Sequence, residues 1–252
     1  MSPTGRKIQE EVIKAAGIAS PIRIGILETP TGFEVNALHA WPDKMQNFFE
    51  TSLCNFKPQI TRIRAWQKNG PHSTNNPKIV DTILQQDYVY AGAGSPTYTV
   101  EHLQNSLAYR RLLEAHQEGC VLCLGSATVV AISKYTLPVY EIFKAGHKLY
   151  WAPGLDFFSK FGLKLVIIPH WNNHEGEDFD TTRCWMGKER FAQLISLLPH
   201  DVVIIGIDEQ TALLFDPVNK LISVKGVGKT TIIRNNQVKE FLSESSFPFT
   251  EV

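Results

Sequence analysis

The chain has 252 residues, 43% hydrophobic and 20% charged, enough to bury the core of an α/β fold as one domain. Lys plus Arg and Asp plus Glu number 25 each, so no overall field draws the protein to nucleic acid or to an anionic membrane, and a charged ligand has to be recognised locally. The opening MSPTGRKIQEEVIKAAGIAS lacks the apolar core of a signal peptide, and no later stretch approaches the roughly 18 apolar residues of a membrane span. The expectation is a cytoplasmic monomer or homodimer with no nucleic-acid or membrane partner.

Residues 1–20 read as a helical arm ahead of a single domain over 21–252. From there, short apolar runs alternate with amphipathic segments, the pattern of βαβ units around a mostly parallel sheet covered on both faces. Strands are expected at 22–27 (IRIGIL), 59–66 (QITRIRAW), 87–91 (DYVYA), 120–124 (CVLCL), 163–168 (LKLVII) and 202–206 (VVIIG). Helices are expected at about 35–52, 77–86, 98–117, 126–134 and 185–198, with Thr97 capping the third and Glu101 in its first turn. From Thr211 onward the short segments ALLFD, KLISVKG and KTTIIRN, separated by Asp216-Pro217 and Gly226, predict an antiparallel C-terminal extension. The fold class is a three-layer αβα sandwich.

Cys120 and Cys123 form a CxxC on a predicted strand, whereas a redox pair normally opens a helix; they read as buried thiols, with Cys54 and Cys184 isolated. GVGKTT at 226–231 lacks the first glycine of a phosphate-binding loop and precedes a β-like segment, so it reads as a turn between strands.

The informative stretch is CVLCLGSATVVAIS, where a buried strand ends on Gly125-Ser126-Ala127 and turns at once into a helix. Ser126 either caps that helix or is a nucleophile exposed at the sheet's carboxyl edge, with the Ala127 N–H placed to stabilise an oxyanion. A nucleophile needs a base and the base an acid. His170, in IIPHWNNHEGED, and Glu209, in IIGIDEQTA, follow two further strands directly. A fourth strand end, YAGAGSPTY, carries Gly92 and Gly94, which permit close backbone approach; the Gly94 N–H completes the oxyanion hole, or the following helix binds a phosphate. His170, His174, Glu175 and Asp178 also raise a metal reading, which the loop-forming Asn172, Asn173 and Gly176 and the absence of HExxH argue against. No metal and no cofactor are expected.

Together, AGAGSPT, GSA, IPHW and IIGIDE resemble the glycine turn, nucleophile, histidine and acid motifs of the dipeptidase E and cyanophycinase family of serine peptidases, over about residues 22–230. The fold of that family is similar to that of class I glutamine amidotransferases. Leu124 and Thr128 stand where the elbows of the family carry glycines. The resemblance implies Ser126 as nucleophile, His170 as base and Glu209 as acid, with Glu141 and Asp208 as rival acids and His174 as a rival base. It also implies a small peptide or isopeptide substrate of aspartyl or β-aspartyl type, whose carboxylate calls for a cation. Arg183 and Arg190 are the candidates, against the alternative that both are solvated helix residues. Trp171, Asn172 and Asn173 are expected to shape the pocket entrance, Ser95 to touch substrate, and Glu28 to reach the same sheet edge. The competing reading is a non-catalytic protein on the same scaffold that binds a small acidic metabolite.

Overall fold

A computed structural model describes residues 2–252, so Met1 of the expected arm lies outside the described residues. The chain divides into two compact units, Gln9–Thr128 and Val129–Val252, the latter with Ser2–Ile8. In the chain as a whole, the arm forms helix α1 (Pro3–Ala15).

In the first unit, runs of aliphatic and β-branched residues form β1 (Arg23–Leu27), β2 (Gln59–Ile63), β3 (Tyr88–Ala91) and β4 (Val121–Leu124). They make an all-parallel sheet in the order β2-β1-β3-β4. Parallel neighbours need crossovers. These are α2 (Val35–Ser52), then α3 (Pro77–Val80) with the 3₁₀ turn Asp81–Gln85, then α4 (Pro96–Leu103) and α5 (Leu107–Gln117). The mostly parallel α/β sheet flanked by helices is therefore present.

Helix α2 shows why the sequence folds this way. Leu38, Met45, Phe48 and Phe49 recur at helical spacing and are buried, and the Glu34 carboxylate caps the first turn by accepting from the N–H groups of Asn36 and Ala37 at 3.0 and 2.7 Å. Ile13, Met45, Phe48 and Phe49 pack on Ile24, Ile26 and Tyr88 of the sheet. Each such side chain contributes about 1.5–3 kcal/mol on burial.

The strand order reverses between β1 and β3, and open α/β sheets hold ligands outside the carboxyl ends of strands at such a reversal. That is where the glycine turn lies.

Three expectations need correction here. The helix expected over 98–117 is two helices, because Asn105 takes a left-handed conformation (φ 61°) and the Ser106 hydroxyl caps a new helix at the Tyr109 N–H, 3.1 Å away. Ser95, not Thr97, caps α4. The strand expected to reach Trp66 stops at Ile63.

In the second unit, the short helix α6 runs on to Ala131 from Ala127, and β5 (Tyr135–Thr136) pairs with β6 (Ala152–Pro153), with α7 (Val139–Phe143) between them. The strands β7 (Leu165–Ile168) and β8 (Val203–Ile207) are parallel, joined through α8 (Gly187–Ser196). Beyond them lie β9 (Thr211–Asp216), β10 (Leu221–Gly226), β11 (Lys229–Arg234), β12 (Gln237–Leu242) and β13 (Ser246–Pro248). Only β11 and β12 extend the β7-β8 sheet antiparallel, in the order β12-β11-β8-β7, while β9 and β10 join β13 in a separate three-stranded sheet. GVGKTT spans the turn from β10 to β11. Trp171, Met186, Phe191 and Leu194 fill a core against Val166, Ile168 and Ile204.

All four cysteines are free thiols; burial pushes Cys120 and Cys184 up to about 12, which suits packing rather than thiolate chemistry. Among the described residues no helix is long and apolar enough to cross a membrane.

Candidate active site

In the first unit the elbow is built by the end of β4. The Gly125 N–H donates to the Ala91 carbonyl at 2.9 Å, Ser126 sits at φ 46°, and α6 begins at Ala127. A left-handed non-glycine residue costs of order 1–3 kcal/mol and persists only where its surroundings over-determine it. They do so here through Thr128, which is 2% exposed. Its N–H donates to the Gly125 carbonyl at 3.0 Å and its hydroxyl to the Gly92 carbonyl at 2.9 Å.

The glycine turn is held on its other side by the 3₁₀ turn Thr29–Thr31 that follows β1. Gly94 lies at φ 148°, and a Cβ there would sit 1.7 Å from the Pro30 carbonyl oxygen, which accepts from the Ser95 N–H at 3.1 Å. Among the described residues, the N–H groups of Ala93, Gly94 and Ala127 donate to no protein acceptor. Ser95 is buried, and its hydroxyl caps α4 by accepting from the Tyr98 N–H at 3.3 Å.

In the second unit β7 and β8 deliver the histidine and the acid. The Trp171 N–H donates to the Ile207 carbonyl at 3.0 Å, bringing the two strand ends together, and His170 adopts φ 54°. Its Nδ1 lies 3.0 Å from Glu209 Oε1. The same oxygen accepts from Asn173 Nδ2 at 2.8 Å, and the Glu209 N–H donates to Asn172 Oδ1, also at 2.8 Å. The Trp185 ring packs at 4.9 Å on the imidazole. Burial works against the Glu209 carboxylate, but the hydrogen bonds from Asn173 and then His170 outweigh it and hold its pKa below the ordinary value.

The rivals are placed otherwise. Asp208 is buried with Oδ2 accepting from the Lys229 N–H at 3.1 Å, Glu141 lies in α7, and His174 is exposed. Asn172 and Asn173, expected at a pocket entrance, both hold Glu209. No three His, Cys, Asp or Glu side chains among the described residues are grouped to hold a metal ion.

Trp171 and the two arginines are placed by packing and by backbone carbonyls. Trp171 is a core residue, 4% exposed, lying on the bare face of Gly206, where a Cβ would meet its indole at 2.2 Å. Arg183 is not on a helix. With Cys184 and Trp185 it forms a left-handed run (φ 59°, 57° and 65°) that stacks its guanidinium 3.8 Å over the Trp171 ring and lets Nη1 donate to the Trp171 carbonyl at 2.7 Å. Arg190 is on α8, but its Nε and Nη2 donate to the carbonyls of Met186 and Trp185, each at 2.7 Å. Glu28 is 1% exposed, and its oxygens accept from Arg62 and from Trp66 Nε1, which makes it a structural carboxylate.

Sequence reasoning missed Thr128 and Trp185 as parts of these clusters. Neither carries a local signal, because each acts on a residue distant in the chain.

No protein-family model and no curated protein sequence matches the chain. Solved structures do. The crystal structure of a peptidase from an acI-B1 Actinobacterium is similar at a TM-score of 0.75 and 20% identity, over 98% of this chain and 92% of that one. A protein from Listeria monocytogenes EGD-e, provisionally named peptidase E, is similar at 0.53 and 13% identity, over 94% of each. At these identities the likeness establishes a shared fold.

Proposed function

We propose that the protein is a serine hydrolase that cleaves an amide bond in a small peptide or isopeptide by acyl transfer. The observation that carries this reading is the bond between His170 Nδ1 and Glu209 Oε1: with Nδ1–H donating to the carboxylate, Nε2 holds the lone pair a general base needs. The peptidase names of the two similar structures agree with it.

Ser126 Oγ attacks the carbonyl carbon as Nε2 takes its proton, and the N–H groups of Gly94 and Ala127 stabilise the resulting oxyanion. The imidazolium then protonates the leaving amine as the C–N bond breaks. Water, deprotonated by the same Nε2, attacks the acyl-enzyme carbonyl, and as the bond to Ser126 Oγ breaks the imidazolium returns its proton to that oxygen. Glu209 stays ionised and orients the ring. Apart from substrate and water, every group in these steps is a side chain or a backbone N–H, so the proposed route requires no cofactor.

A fluorophosphonate probe is the direct test. Labelling of the wild type but not of Ser126→Ala supports the nucleophile, and an unlabelled wild type that binds acidic metabolites favours the non-catalytic reading. A screen of aspartyl, β-aspartyl and isopeptide substrates then identifies the bond. The aspartyl preference rests on Arg183, whose Nη1 already serves the Trp171 carbonyl. Arg183→Met is expected to raise KM for acidic substrates about tenfold or more and leave neutral ones unchanged.

Asn173→Ala removes a donor from the ionised Glu209, so the carboxyl pKa is expected to rise and kcat to fall roughly tenfold. Because the folded-state pKa is depressed, the stability that Glu209 contributes is present above its unfolded pKa and is lost as pH falls through the folded value. The variant should lose it at higher pH than the wild type. Titration of the Glu209 carboxyl by ¹³C NMR measures this, and an unmoved titration would count against the assignment.

A further inference from the structure

The geometry points to Thr128 as a positioning residue of the oxyanion hole: its buried hydroxyl holds the Gly92 carbonyl so that the glycine turn presents its amides in one fixed direction. This rests on the serine-hydrolase reading for its catalytic meaning, but not for its structural content.

The Gly92 carbonyl and the Ala93 N–H belong to one planar peptide group and point opposite ways, so fixing one fixes the other. Thr128 Oγ1 fixes the carbonyl at 2.9 Å. At the far end of the turn, Gly94 is pressed on the Pro30 backbone and the Ser95 N–H is bonded to the Pro30 carbonyl. Ala93 and Gly94 are thus pinned on both sides while their own N–H groups meet no acceptor among the described residues.

Glycine alone would not hold such an arrangement, since its backbone populates several orientations at little cost. The Thr128 backbone is itself anchored to the elbow through its N–H and the Gly125 carbonyl. The single side chain at 128 therefore sets the glycine turn against the strand end that carries Ser126, and the two halves of the hole keep one spacing.

Thr128→Val keeps the shape and removes the hydroxyl, Thr128→Ser keeps the hydroxyl, and Thr128→Ala guards against misfolding of the valine variant. The expected result is a kcat about ten- to a hundredfold lower for Val and Ala with KM within about twofold, and recovery to within about threefold of wild type in Ser. In ¹⁵N–¹H spectra, the Ala93 and Gly94 amides are expected to shift or broaden in Val and Ala and to return in Ser.

Wild-type kcat in the folded Val and Ala variants, or amide resonances that do not move, overturns the lock. If the wild type shows no Ser126-dependent turnover, the hydrolase reading has failed instead. The amide resonances then decide the Thr128 lock by themselves.

Discussion

On the proposed mechanism, Ser126→Ala and His170→Ala are each expected to lower kcat by at least about three orders of magnitude, and the double variant to fall little further, because nucleophile and base would act as a unit. The fold should hardly notice Ser126→Ala. Alanine at φ 46° suffers the same left-handed crowding as serine, so the melting temperature should move little. Ser126→Gly separates chemistry from strain. It also abolishes turnover, yet relief of the left-handed conformation should offset much of the backbone freedom glycine adds in the unfolded chain. Turnover measured beside thermal unfolding on all four variants makes the test. A Ser126→Ala protein that keeps most of its turnover would exclude the acyl-enzyme route.

The second large effect concerns stability. Glu28→Ala is expected to destabilise the protein by about 3–5 kcal/mol, because it leaves the Arg62 guanidinium without its buried partner and the Trp66 N–H without its acceptor. For a chain of this size that corresponds to a melting point lower by roughly 6–20 °C. The other carboxylate on Arg62, Asp43, is 68% exposed, so Asp43→Ala should cost less than about 1 kcal/mol. Replacing Glu28 and Arg62 together by leucine should recover much of the loss, since no uncompensated charge then remains inside. Denaturant midpoints for the single and double variants decide it: equal losses from Glu28→Ala and Asp43→Ala would contradict a buried ion pair as the cause.

Much of the fold was legible because its signals are local. IRIGIL, LKLVII and VVIIG are short, predominantly apolar runs, and the 3.6-residue spacing of Leu38, Met45, Phe48 and Phe49 needs no tertiary knowledge. The break at Asn105-Ser106 was equally local, and a cap signal inside a long helical pattern is a reason to divide it. The separation of β9 and β10 from β11 was not legible, since strands of similar composition can pair with either sheet and only the partner surface decides.

The candidate site divides the same way. The sequence by itself determined that a serine, a histidine, two adjacent acids and a glycine-rich turn each follow a strand, because strand ends are set by hydrophobic period and turn chemistry. Only the tertiary structure decided which acid meets His170, that Asn172 and Asn173 grip that acid, that Arg183 stacks on Trp171, and that Thr128 reaches across to Gly92. Each of these is a contact between residues 12 to 39 positions apart, made through side-chain directions that follow from packing and leave no trace in local spacing.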